Sequence, residues 1–121
     1  MKDKYGEVMA LAKAGLTGMI RRKDPAGIAG LRSIIAALEN AYAVPVTDSA
    51  GEYARAGSTE VERRTVSDEE VDRILDEEIA MRTEQADVLS ATHHDLESSM
   101  ARYQATLITR LKSGDLLSTR T

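Results

Sequence analysis

The 121-residue sequence contains no cysteine, no phenylalanine and no tryptophan, and only two prolines. Without cysteine there is no disulfide framework, thiolate nucleophile, iron–sulfur cluster or thiolate-bound zinc site. Without Phe and Trp, and with four tyrosines as the whole aromatic complement, a base-stacking platform of the RRM or OB type is not expected. No apolar run approaches the roughly 18 to 20 residues that cross a bilayer. Lys13 interrupts the apolar residues near the start, so no signal h-region is expected and a cytoplasmic location is the expectation. No Gly-x-Ser-x-Gly elbow, Gly-x-x-x-x-Gly-Lys-Ser/Thr loop or post-strand Gly-x-Gly-x-x-Gly is present, so no catalytic residue, cofactor or small-molecule substrate is expected.

What remains is helix-forming material: 42% hydrophobic and 30% charged residues, in a length that fits one domain or two small lobes sharing a core. Between residues 3 and 22, Tyr5, Met9, Ala12, Leu16 and Met19 recur at steps of four and three, which predicts an amphipathic helix. Asp24-Pro25 ends it and opens a second, since Asp caps a helix and Pro suits its first position. That helix, about 25 to 43, carries Ile28, Leu31, Ile35, Leu38 and Tyr42 on its stripe. Gly27 and Gly30 inside it are expected to let another helix approach closely. Residues 45 to 66 have no sustained period and read as a linker.

Ser67 then offers an N-cap, Glu70 completes a capping box and Val66 pairs with Val71 as a hydrophobic staple. The third helix, about 68 to 90, is expected to turn Val71, Leu75, Ile79, Ala86 and Leu89 inward. After the break Thr92-His93-His94, a fourth helix carries Leu96, Met100, Tyr103, Leu107 and Leu111, and Lys112-Ser113-Gly114 terminates it. Residues 115 to 121 are expected to fray. The class is all-α, with an N-terminal helical hairpin lobe (1–44), a linker (45–66) and a C-terminal hairpin lobe (67–114).

Charge is divided unevenly. The chain has 16 basic and 20 acidic residues, a net charge of −4. Residues 2 to 44 carry seven cations (2, 4, 13, 21, 22, 23, 32) and four carboxylates (3, 7, 24, 39), a balance of +3. Residues 68 to 87 carry nine carboxylates (68, 69, 70, 72, 76, 77, 78, 84, 87) and two arginines, a balance of −7. Two readings stand for Arg21-Arg22-Lys23 and nearby Arg32. They compensate the macrodipole at a helix C-terminus, or they contact a phosphate backbone. Arg63-Arg64 form a second basic pair. The acidic third helix reads as a solvated face or as a docking surface for a basic protein. His93, His94, Asp95 and Glu97 read as a polar turn rather than a metal site, because adjacent histidines diverge on a helix.

The run Leu16 to Lys23, then Asp24, Leu31-Arg32, Ala36-Ala37 and Asn40-Ala41, then Val61-Glu62-Arg63-Arg64, then Ser67-Asp68-Glu69-Glu70-Val71 with Ile74, Glu78-Ile79 and Arg82 resembles the GatB/YqeY family over about residues 5 to 111. The resemblance implies a stand-alone YqeY-like module similar to the tail domain of the B subunit of the tRNA-dependent amidotransferase. It implies tRNA or a tRNA-handling complex as partner, with the amide-transfer chemistry of that enzyme seated in other domains. On that resemblance Arg22, Arg32, Arg63, Arg64 and Arg82 join Arg21 and Lys23 as phosphate-contact candidates. Asp24, Asn40, Ser67 and Glu70 match positions of capping and turn residues.

Overall fold

The computed structural model describes residues 3–42 and 66–114, which form helices, the short turns within each hairpin and the residues that flank the helix ends. The order is α1 (Lys4–Arg21), α2 (Pro25–Tyr42), α3 (Asp68–Ala91) and α4 (Asp95–Ser113). Local chemistry sets the boundaries. The Asp3 carboxylate accepts from the Gly6 N–H at 2.9 Å, Asp24 Oδ1 from the Gly27 N–H at 3.1 Å, and Ser67 Oγ from the Glu70 N–H at 3.1 Å. Each satisfies a donor that has no partner within its helix. Val66 and Val71 are both buried in the core, as a staple requires. Gly114, at φ 83°, ends α4 in the left-handed region. Asn40 lies within the last turn of α2, exposed, and so is a helical residue rather than a turn residue.

The helices form two antiparallel hairpins, α1–α2 and α3–α4, which meet chiefly through α2 and α4. Their interior is one cluster: Val8, Met9, Ala12 and Met19 from α1, Leu31, Ile34 and Leu38 from α2, Val71, Ile74 and Leu75 from α3, and Leu107, Ile108 and Leu111 from α4. On α2 the buried line is Gly27, Gly30, Leu31, Ile34 and Leu38, while Ile28, Ile35 and Tyr42 are only half-buried. The glycines cause this rotation. A Cβ on Gly27 would lie 2.6 Å from Met19 Sδ, and one on Gly30 would lie 3.1 Å from Gln104 Cγ. At Gly27 and Gly30, α2 therefore meets side chains of α1 and α4 where a Cβ would crowd them, along a line that side-chain hydrophobicity does not mark.

A larger departure concerns α4. Leu107 and Leu111 are buried, but Leu96 is 71% exposed and Met100 41%. The α1–α2 hairpin ends level with Tyr103 and Gln104, where Tyr103 donates to Asp24 and Gln104 Nε2 donates to the Ala26 carbonyl at 2.9 Å. The α3–α4 hairpin continues past this level by about two turns of helix, roughly 10 Å at 1.5 Å per residue. Leu96 and Met100 sit on the right stripe and beyond the end of the cover.

The two hairpins are closed by the same turn. At the first, Arg22 N–H donates to Gly18 O, Lys23 N–H to Ile20 O and Asp24 N–H to Met19 O. At the second, Thr92 N–H donates to Val88 O, His93 N–H to Ser90 O and His94 N–H to Leu89 O. The middle residue is left-handed in both: φ is 56° at Lys23 and 66° at His93. The hydrogen bond that spans five residues in each is the Schellman closure, made here without glycine.

Candidate nucleic-acid interface

The α1–α2 turn presents Arg21, Arg22 and Lys23 in succession, all exposed. Its geometry is braced from three helices. Asp24 caps α2 with one carboxylate oxygen and receives the Tyr103 hydroxyl on the other. The Tyr103 hydroxyl also lies 3.8 Å from Met19 Sδ, and Arg22 Nη2 lies 3.2 Å from that sulfur and 4.0 Å from Asp24 Oδ2. Burial, and then the neighbouring Asp24 carboxylate, push the Tyr103 phenol above the ordinary tyrosine value. The phenol is thus held neutral and donating, and the turn is fixed to α4.

Among the described residues, Arg21, Lys23, Lys13 and Arg32 have no carboxylate within ion-pair distance. In the other hairpin the cations are engaged. Arg73 lies between Glu70 and Glu77, Arg82 on Glu78, Arg102 on Asp87 at 2.8 Å and Lys112 on Asp76 at 2.8 Å. Lys13 and Arg32 are each eight or nine residues from the turn along their helices, about 12 Å. Among the described residues, unpaired positive charge therefore lies on the α1–α2 hairpin, with Arg21 and Lys23 at its turn and Lys13 and Arg32 at mid-helix.

Arg82 corrects the sequence reading. It is 6% exposed, pairs with Glu78 and donates from Nε to Gln104 Oε1 at 3.1 Å. Gln104 in turn reaches the Ala26 carbonyl. A partly buried chain of polar contacts, Glu78–Arg82–Gln104–Ala26, thus runs from α3 through α4 to α2, and the buried Arg82 presents no charge to a phosphate. The spacing held a signal for it. Leu75, Ile79, Arg82 and Ala86 step by four, three and four, so Arg82 occupies an inward position of the stripe. Gln104, missed altogether, sits beside Tyr103 on the face that meets α2. Arg63 and Arg64 lie outside the described residues.

The acidic helix is mainly a pairing surface. Seven of its nine carboxylates have partners: Asp68 accepts from the Lys4 N–H, Asp72 binds the Lys4 ammonium at 2.9 Å, and Glu70, Asp76, Glu77, Glu78 and Asp87 meet the cations named above. The hydrogen bond donated by Lys4 lowers the Asp72 carboxyl below its usual range, and the one that Lys112 donates to Asp76 raises the Lys112 ammonium. An open trough of about 450 Å³ runs along this flank, lined by Glu69, Asp72, Arg73, Asp76, Glu77 and Ala80. Among the described residues, no three His, Asp or Glu side chains converge as metal ligands. His94 Nδ1 lies 2.9 Å from Thr92 Oγ1 within the exposed α3–α4 turn. No helix among the described residues is long and apolar enough to cross a membrane.

No family model, curated protein or solved structure matches this chain.

Proposed function

We propose that this chain is a non-catalytic docking module that holds the phosphate backbone of a folded RNA at the α1–α2 turn, the RNA being tRNA on the resemblance to the GatB/YqeY family. One observation carries the reading. Three successive exposed cations, two of them without an ion-pair partner among the described residues, occupy a turn braced by Asp24 and Tyr103, while the cations of the acidic hairpin named above are engaged by carboxylates. A braced turn loses little freedom when a phosphate settles on it, and free cations give up only water and counterions. With no stacking aromatics at the turn, recognition is of backbone and shape. The module acts by positioning its RNA.

The test is tRNA binding across a salt series. With three to four phosphates neutralised, log affinity falls against log salt with a slope near about −3, scaled from about −0.9 per contact. Changing Arg21, Arg22 and Lys23 together to Glu abolishes binding at low salt. Arg82→Gln weakens binding only as far as it unfolds the protein. Unchanged binding by the triple variant refutes the proposal.

A further inference from the structure

The Asp24 carboxylate at the α1–α2 turn has a donor on each oxygen. Oδ1 takes the Gly27 N–H that caps α2, and Oδ2 takes the hydroxyl of Tyr103, which α4 delivers from the other hairpin. The bare α-carbon of Gly27 leaves room for this, since a Cβ there would lie 2.9 Å from Oδ2. Arg22 Nη2 stands 4.0 Å from that same Oδ2 and rests instead on Met19 Sδ at 3.2 Å. A thioether is a weak acceptor. The exposed guanidinium is thus kept by a partner that releases it easily, with a carboxylate just out of reach.

A shift of about 1 Å would bring Arg22 onto Asp24 as a charge-assisted hydrogen bond of about 2.8 Å. The turn would then present Arg21 and Lys23 free and Arg22 engaged. We propose that Tyr103 is a positioning residue: by satisfying Asp24 Oδ2 it keeps Arg22 off that carboxylate and available to a phosphate, an inference that rests on the RNA-docking function proposed above. Without the hydroxyl, a half-buried carboxylate oxygen is left short of a donor, and Arg22 is the cation poised to supply one. This role is separate from bracing, because it acts through one named side chain and changes the number of phosphates the turn can meet. It also places control of the third cation in the acidic hairpin. The full basic turn is presented only while α4 is docked against α1 and α2, so RNA affinity is coupled to the packing of the two hairpins.

The measurement is tRNA affinity across a salt series for the unaltered chain, Tyr103→Phe, Arg22→Gln and the double variant, with circular dichroism and urea unfolding confirming that each is folded. Tyr103→Phe lowers affinity about fivefold or more at about 0.1 M salt and makes the salt slope shallower by about 0.9, the share of one phosphate. Arg22→Gln does the same, and Tyr103→Phe adds nothing in its background. A hydroxyl that only braced the turn would weaken both backgrounds alike, so equal losses in the two overturn the proposal, as does an unchanged slope in Tyr103→Phe. Asp24→Asn keeps a capping side chain and removes the charge, and in its background Tyr103→Phe no longer alters the slope. A second readout needs no RNA. In Tyr103→Phe the guanidinium signals of Arg22 in nitrogen NMR move and exchange more slowly with water, and Asp24→Asn abolishes both changes. If the unaltered chain binds no tRNA, the docking function fails; Arg22 signals that Tyr103→Phe leaves in place overturn the present inference on their own.

Discussion

Lys23 and His93 each hold a left-handed backbone that L-residues adopt at a cost of about 1 to 2 kcal/mol. Nothing in the residue types announces it. A glycine or asparagine there would have marked a helix stop, whereas a lysine and a histidine reveal neither the closure nor that the two turns share one hydrogen-bond pattern. Relief of this strain is partly offset by the larger freedom of glycine in the unfolded chain, about 0.5 to 1 kcal/mol. His93→Gly therefore raises stability by about 0.5 to 1 kcal/mol in urea unfolding. His93→Ala, which keeps the Cβ, leaves stability nearly unchanged. Other single residues were legible because their chemistry has one use in that place. Asp24-Pro25, Ser67 with Val66 and Val71, and Gly114 all act as their order in the sequence indicates.

At the scale of the element, periodicity identified all four helices and left their rotation and reach undecided. On α2 the line of contact passes through Gly27 and Gly30, which contribute no hydrophobicity and yet decide how near α1 and α4 come. On α3 the inward stripe passes through Arg82, because a charged side chain is accepted at a core position when a carboxylate and an amide meet it there. Removing one member leaves its half-buried partners unsatisfied. Arg82→Met is expected to cost about 2 to 4 kcal/mol in chemical denaturation. Adding Glu78→Gln to it recovers part of that loss, since a neutral amide replaces an unpaired, half-buried carboxylate. A simple sum of the two single losses in that double-mutant cycle would show that the pair does not act as a unit.

For the whole molecule, the two hairpins are tied at both ends of their contact. At one end Lys4 of α1 reaches Asp68 and Asp72 of α3. At the other Tyr103 and Gln104 of α4 hold Asp24 and Ala26. The first tie depends on pH, with a definite sign. The Asp72 carboxyl is lowered in the folded state by the Lys4 ammonium, so below the ordinary carboxylate value the unfolded chain binds more protons than the folded one. The tie's contribution is present above that value and is lost as the pH falls through the lowered one. Stability measured from pH 6 down to about 2.5 therefore rises with pH across that window, and Asp72→Asn flattens the acid limb. Because Asp72 is partly open to solvent, added salt shrinks the effect.

The division into a basic and an acidic hairpin was readable from charge alone, but not that most of the acid is internally matched, since that required knowing which helices touch. Nor did the sequence state where one hairpin stops against the other. The stripe on α4 runs unbroken from Leu96 to Leu111, and which part of it is covered is set by where α2 begins against α4, level with Tyr103 and Gln104.

That stagger also sets how the protein opens. The last turns of α3 and the first turns of α4 rest on one another alone, joined by small contacts such as the Ser98 hydroxyl on the Ala86 carbonyl at 2.8 Å. Their amide hydrogens escape by fraying from the tip, while those near Leu75 and Ile108 exchange only when the entire interior comes apart.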